Sequence, residues 1–252
     1  MATSRRIAAL ALLGATAGAA QFGVFRNLGF TPQAQTADEF DSFLEIVAES
    51  DPRRRVERVA AFASRFSESE LLGTAFHYRL EACVELDDIE CVLRAGRIVL
   101  ERIPDNLDAL LTLASSIPNA AGGRPDAARL LHAAEGYARR ALEILQSKRI
   151  PRSIPFADWS RLRLEMEAQA HEALGHVAAK RGDFPEAVRE FERATELSPE
   201  PVGRQHFRLG VAYSWLQRLG EARVALETAA KLGPEPITSL AEGELARIGS
   251  AR

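Results

Sequence analysis

Lysine is nearly missing from this chain: among 32 basic residues only Lys148, Lys180 and Lys231 are lysines. The arginine-heavy balance reads as a habit of GC-rich coding rather than a clue to activity. Cysteine is scarcer still, with Cys83 and Cys91 alone. No Cys-x-x-Cys pair and no Cys-x-x-Cys-His occurs, which excludes the dithiol redox and haem-attachment motifs. A glycine-rich phosphate loop, a Gly-x-Ser-x-Gly elbow and a calcium loop are also lacking. A basic excess is lacking too, since the formal net charge is −3, and this argues against nucleic acid as a partner. Last, no acidic residue occurs before Asp38.

The acid-free start has a pattern of its own. Arg5 and Arg6 precede an apolar, alanine-rich run from Ile7 to Ala20, which ends near the small residues Ala17-Gly18-Ala19. That is the layout of a secretory signal, and Ser4-Arg5-Arg6 is an incomplete twin-arginine motif. Residues 1–37 are therefore read as a signal peptide or N-terminal hydrophobic segment, and the protein as exported, in a bacterial periplasm or cell envelope. The alternative is an uncleaved anchor continuing to Phe25, in which Gly14, Gly18 and Gly23 make a poor spanning helix; membrane contact would then run through this segment only. Removing it with Arg5, Arg6 and Arg26 leaves 29 basic against 35 acidic residues, a net charge near −6.

Downstream, the stretch from Ala168 to Pro234 repeats itself after 35 residues. Leu174 falls on Leu209, Gly175 on Gly210, Ala187 on Ala222, Phe191 on Leu226, Ala194 on Ala229, Leu197 on Leu232 and Pro199 on Pro234. Counted back from Pro104, Val92, Gly96 and Val99 stand where Ala187, Phe191 and Ala194 stand before Pro199. A fixed period in this range marks an architecture in which each unit buries its apolar face only against its neighbours. Apolar spacings of three and four, as in Phe40, Phe43, Leu44 and Val47, place helices throughout. Asp51-Pro52, Asp87-Asp88, Gly182-Asp183 and Leu219-Gly220 are read as turns.

The expected organisation is one helical domain over 38–252, with hairpins at about 38–67, 70–103, 107–147, 157–198 and 202–233 and a closing helix at 236–249. The first hairpin is a degenerate copy. In the third, Pro118 to Pro125 lengthens the turn and is a candidate functional insertion. Lys148 to Pro155 reads as a connection, with Asp158 capping a long helix that reaches Arg181. Gly175 and Gly210 admit close helix approach, Ala187, Ala194, Ala222 and Ala229 remove bulk where helices cross, and Phe191, Leu226, Leu197 and Leu232 fill the space between units.

The Leu-Gly of the first helix, then Ala, a bulky residue, Ala and a closing Pro, resembles the tetratricopeptide repeat. The resemblance implies an all-α, right-handed superhelix (α-solenoid) of about five such hairpins, a non-catalytic scaffold without cofactor whose first helices line a concave groove for a protein or peptide partner. Carried onto this chain, the groove would present His77, Glu81 and Glu85 from the second unit and Glu172, His176 and Lys180 from the fourth. The fifth would add Arg204, Phe207, Arg208, Val211 and Trp215. It would grade from acidic to basic with an aromatic end, Arg208 and Trp215 being the strongest single anchors; Trp215 reads equally well as packing between helices. Members that clasp a terminal carboxylate use Lys and Asn, and here only Lys180 fits, with His176 where Asn is wanted.

Two further readings stay beside the scaffold: an adaptor in outer-membrane assembly or envelope polymer export, and a metal-dependent enzyme using His77, Glu81 and Glu85, which share a helix face at steps of four. The solvated-face reading of that trio is preferred, and no metal site is assigned. His171 and His176 flank Glu172 as in a zinc protease motif, but a five-residue step turns them about 140° apart on a helix, so they do not share a metal. Cys83 and Cys91 flank the Asp87-Asp88 turn; a disulfide there is geometrically reasonable, and two buried free thiols are the alternative.

Overall fold

The computed structural model describes residues 32–147 and 156–250. The export signal expected over 1–37 lies almost wholly outside the described residues, as does the connection at 148–155. The described residues form the helices α1 (Ala37–Ala48), α2 (Pro52–Arg65), α3 (Leu72–Glu85), α4 (Ile89–Arg102), α5 (Leu107–Ala120), α6 (Ala127–Gln146), α7 (Phe156–Arg181), α8 (Phe184–Leu197), α9 (Gly203–Trp215), α10 (Leu219–Leu232) and α11 (Ile237–Gly249). In the first unit α1/α2 and α3/α4 run as packed pairs, and in the second α7/α8 and α9/α10 do, with α11 packed on α10. This is an all-α, α-solenoid arrangement of helical hairpins. No helix of the described residues is long and apolar enough to cross a membrane. The chain forms two compact units, one up to Ser116 and one from Ile117 onward.

The turns arise from local chemistry. Asp51 accepts the Arg54 amide at 2.8 Å while Pro52 opens α2, as an N-cap followed by proline should. Asp88 caps α4 through the Cys91 amide at 3.0 Å, and Asp183 caps α8 through that of Glu186 at 3.1 Å. The residue before each of these last two caps has a left-handed backbone: Asp87 at φ 52° and Gly182 at φ 80°. Gln217, at the equivalent place before α10, does the same at φ 59°. The turn expected at Leu219-Gly220 therefore lies at Gln217-Arg218, and Gly220 is helical, because the bend is set by position in the repeat rather than by the nearest glycine. Arg218 offers no side-chain cap.

Inside the second unit the small residues do what their spacing suggests. Ala187, Ala194, Ala222 and Ala229 have no exposed surface. A Cβ at Gly175 would meet the Phe191 ring at 2.6 Å, and one at Gly210 would meet Leu226 at the same distance, so one contact is made twice, 35 residues apart. In the first unit the sizes are exchanged. Leu80 stands where the later hairpins have glycine, Gly96 stands where they have Phe191 and Leu226, and Leu113 of α5 fills the space over Gly96 at 2.8 Å from its would-be Cβ.

Three expectations need correcting. Leu232 is 42 % exposed instead of buried between units, because α11 covers the end of α10 only in part. Helix α5 runs through Pro118 to Ala120, so the long turn is 121–126 rather than 118–125. Helix α7 begins at Phe156, which puts Asp158 inside the first turn, where its charge suits the helix dipole. Cys83 and Cys91 are bonded, with Cα atoms 5.5 Å apart, tying the end of α3 to the start of α4.

Candidate partner-binding site

Helix α9 supplies the most open stripe expected of the groove. Its buried residues include Gln205, Leu209, Gly210, Ala212 and Tyr213, packed among α8, α10 and α11. Arg204, Arg208, Val211 and Trp215 recur at steps of four, three and four, one face of a helix, and this face is left partly or fully open, with Phe207 beside it. Trp215 is 61 % exposed. One face of its indole packs across to α8, flat on Phe184 with centroids 5.1 Å apart and planes within 2°, and the remainder is open. Phe184 opens the apolar period of α8, with Ala187, Val188 and Phe191 at three, four and seven residues on, but that period does not reveal which side chain of α9 it meets.

The polar end of the stripe is anchored from below. Glu172 of α7 is buried, and its carboxylate accepts a fork from Arg204 (Nε 2.9 Å, Nη2 3.2 Å), a bond from Arg208 Nη1 at 2.6 Å and a long one from Gln205 Nε2 at 3.5 Å. Ser198 in turn donates to Gln205 Oε1 at 2.7 Å. Paired in this way, two arginines are held in fixed positions. The expectation that Glu172 faces a partner is therefore wrong: it is the internal counter-charge of α9. Burial lowers the Arg208 pKa, Glu172 acts against that, and Arg204 adds to it.

His176 is half-buried one turn further along α7, and its Nδ1 is buried with no hydrogen-bond partner. Burial, with Arg208 and Lys180 nearby, pushes its pKa down to about 3, so the ring is neutral at any ordinary pH. Lys180 is exposed at the end of the same helix. With Glu172 satisfying one arginine charge, the surface keeps a positive excess beside an aromatic plate. His171 does not fill a core position; its Nδ1 lies 2.7 Å from Glu190 Oε2, which separates it further from His176.

In the first unit the expected trio does not converge. His77 is only 2 % exposed, which corrects its placement on a groove wall. Glu81 lies 3.4 Å from its Nε2, whereas Glu85 reaches Arg55 Nη1 at 3.8 Å. Among the described residues no group of three His, Cys, Asp or Glu side chains is placed to hold a metal.

Helix pairs that repeat one packing contact at a fixed interval define a helical-repeat protein. Residues 168–201 match the family model of the tetratricopeptide repeat. The chain thus carries a tetratricopeptide repeat at 168–201. Among solved structures it is similar to a thermophilic tetratricopeptide repeat protein of Thermus thermophilus, at 17 % identity, over 84 % of this chain and 97 % of that one, with a TM-score of 0.49. A search of curated proteins gives no significant match.

Proposed function

We propose that the protein is an exported, non-catalytic scaffold of the cell envelope that holds a protein partner along α9. The observation that carries this reading is the open stripe itself. Two arginines are pre-positioned by Glu172, and 11 residues on from the first of them an exposed indole is braced by Phe184. Arginine and tryptophan are the residues in which binding energy concentrates, and side chains already fixed lose little freedom on binding. The positive excess suits a partner segment that carries carboxylates beside an apolar anchor.

The test is crosslinking in the envelope fraction with wild type and the double variant Arg204→Ala/Trp215→Ala, both verified as folded by circular dichroism. The expected outcome is specific capture by wild type and its loss in the variant. Equal capture by both would remove α9 from the interface, and recovery of the protein solely from the cytoplasm would remove the envelope role.

A further inference from the structure

The covalent link in the first unit raises a question of order. Cys83 and Cys91 are bonded, and in the folded chain both are enclosed, at 0 % and 4 % exposure. The turn between them is held as well: the Asp88 amide donates to the Cys83 carbonyl at 3.1 Å, and the Asp88 side chain accepts the Cys91 amide at 3.0 Å. Leu80, Ala82 and Val92 beside them are buried too. The fifth hairpin closes the same two places differently. In the register of Pro104 and Pro234, Cys83 falls on Tyr213 and Cys91 on Glu221. There Arg218 lies over the Tyr213 ring at 4.5 Å and meets Glu221 at 2.9 Å, a link that an exposed side chain can make or break after folding. A disulfide has no such freedom, because its sulfurs must first meet an oxidant.

We propose that the Cys83–Cys91 bond is installed before α3 and α4 pack, by a disulfide-bearing thiol oxidant that meets the chain unfolded. The proposal rests on the export reading given above, since such bonds form and persist outside the reducing cytoplasm. One cysteine thiolate attacks a sulfur of the donor's disulfide; a chain–donor bond forms, the donor's own bond breaks, and its second sulfur leaves as a thiolate. The other cysteine then attacks the chain-side sulfur of that mixed disulfide and expels the remaining donor thiolate. The two chain thiols thus lose two electrons to the donor, which ends as a dithiol carrying the two protons they gave up. Each attack needs an approach along the sulfur–sulfur axis, and the mixed disulfide needs room for the donor on a chain sulfur. With both cysteines enclosed, the folded hairpin provides neither. A chain that packed α3 on α4 first would shut its thiols away from the oxidant, so this order requires arrival in the envelope unfolded.

The test follows the exchange in both directions on the full chain, since reduction passes through the same mixed disulfide as oxidation. Glu85, Asp87 and Asp88 are exposed around the turn, so the reagents are uncharged: dithiothreitol to reduce and hydroxyethyl disulfide to oxidise. The folded, bonded protein should be reduced at least about a hundredfold more slowly than the same protein in urea, because exchange waits for the hairpin to open. The effect of urea on the chemistry itself is corrected with the reduction of hydroxyethyl disulfide. Equal rates would overturn the proposal. Reduced chain is then diluted out of urea, with the oxidant present from the start or added once circular dichroism shows the helices formed. The bond should form at least about tenfold more slowly in the second case, and equal rates would again overturn the order. If the reduced chain does not fold, the first comparison decides alone. Recovery of reduced protein solely from the cytoplasm would end the export reading, and the oxidant's place with it, whichever way the rates fall.

Discussion

Three hairpins take the same left-handed step at Asp87, Gly182 and Gln217, and only one places glycine there. A left-handed L-residue costs about 1–2 kcal/mol, while the extra freedom that glycine surrenders on folding takes back roughly 0.5–1 kcal/mol. Gln217→Gly should therefore raise stability by about 0.5–1 kcal/mol, read as a shift of the urea midpoint at unchanged slope. His176 gives a residue-level prediction of opposite sign. Its folded pKa is about 3, so below about 6.5 the unfolded chain takes up a proton that the native state refuses. Stability should decline as pH falls from about 6.5 to 5, and His176→Asn should flatten that part of the profile in urea titrations. The pKa of His77 is raised, so its contribution is lost only as pH climbs above 6.5 and leaves this window to His176. Such details were poorly legible beforehand. Leu-Gly and the paired alanines announced their contacts because size alone decides them. Neither the Gln217 backbone nor the burial of His77 leaves a mark in composition or period.

Between elements, the junction of α7 and α9 rests on one carboxylate serving two guanidinium groups. Glu172→Gln removes the counter-charge from a buried Arg208 while keeping the shape. It should cost about 1–3 kcal/mol, nearer the lower end because Arg204 is half-exposed and screened by solvent, and chemical denaturation would measure it. The sequence placed Glu172, Arg204 and Arg208 on first helices correctly, but could not show that they face one another. Salt bridges across 32 and 36 residues depend on the offset between helices, which no helix period encodes. At the α3–α4 turn the disulfide closes a separation of 8 residues. A loop that short restricts the unfolded chain enough for Cys83→Ser/Cys91→Ser to lose about 2–3 kcal/mol. Thiol titration of unreduced, denatured protein should find no free thiol.

For the molecule as a whole, binding is expected to be electrostatically assisted at one place only. The chain's net charge is −3, so an acidic partner is repelled by the average surface and attracted by the α7–α9 region. Once a captured partner is in hand, its association rate should fall as salt rises from about 0.05 to 0.5 M, over which the screening length shrinks severalfold. Arg204→Ala should weaken that salt dependence, whereas Trp215→Ala should speed dissociation with the dependence intact, and stopped-flow or surface-binding kinetics would separate the two. The hairpin architecture was the most legible property of all, since a period of 35 residues is visible without any knowledge of contacts.

The exchange of Leu80 and Gly96 has a consequence for how such a chain can be rearranged. A tandem array invites recombination, and two hairpins with the same outline look interchangeable. Yet a crossover within the pair, joining α3 to α8, would set Leu80 against the Phe191 ring, and the reciprocal joint of α7 with α4 would leave Gly175 facing Gly96 across a hole. Only whole hairpins can be shuffled, so the ancestry of this protein should be traced in steps of two helices.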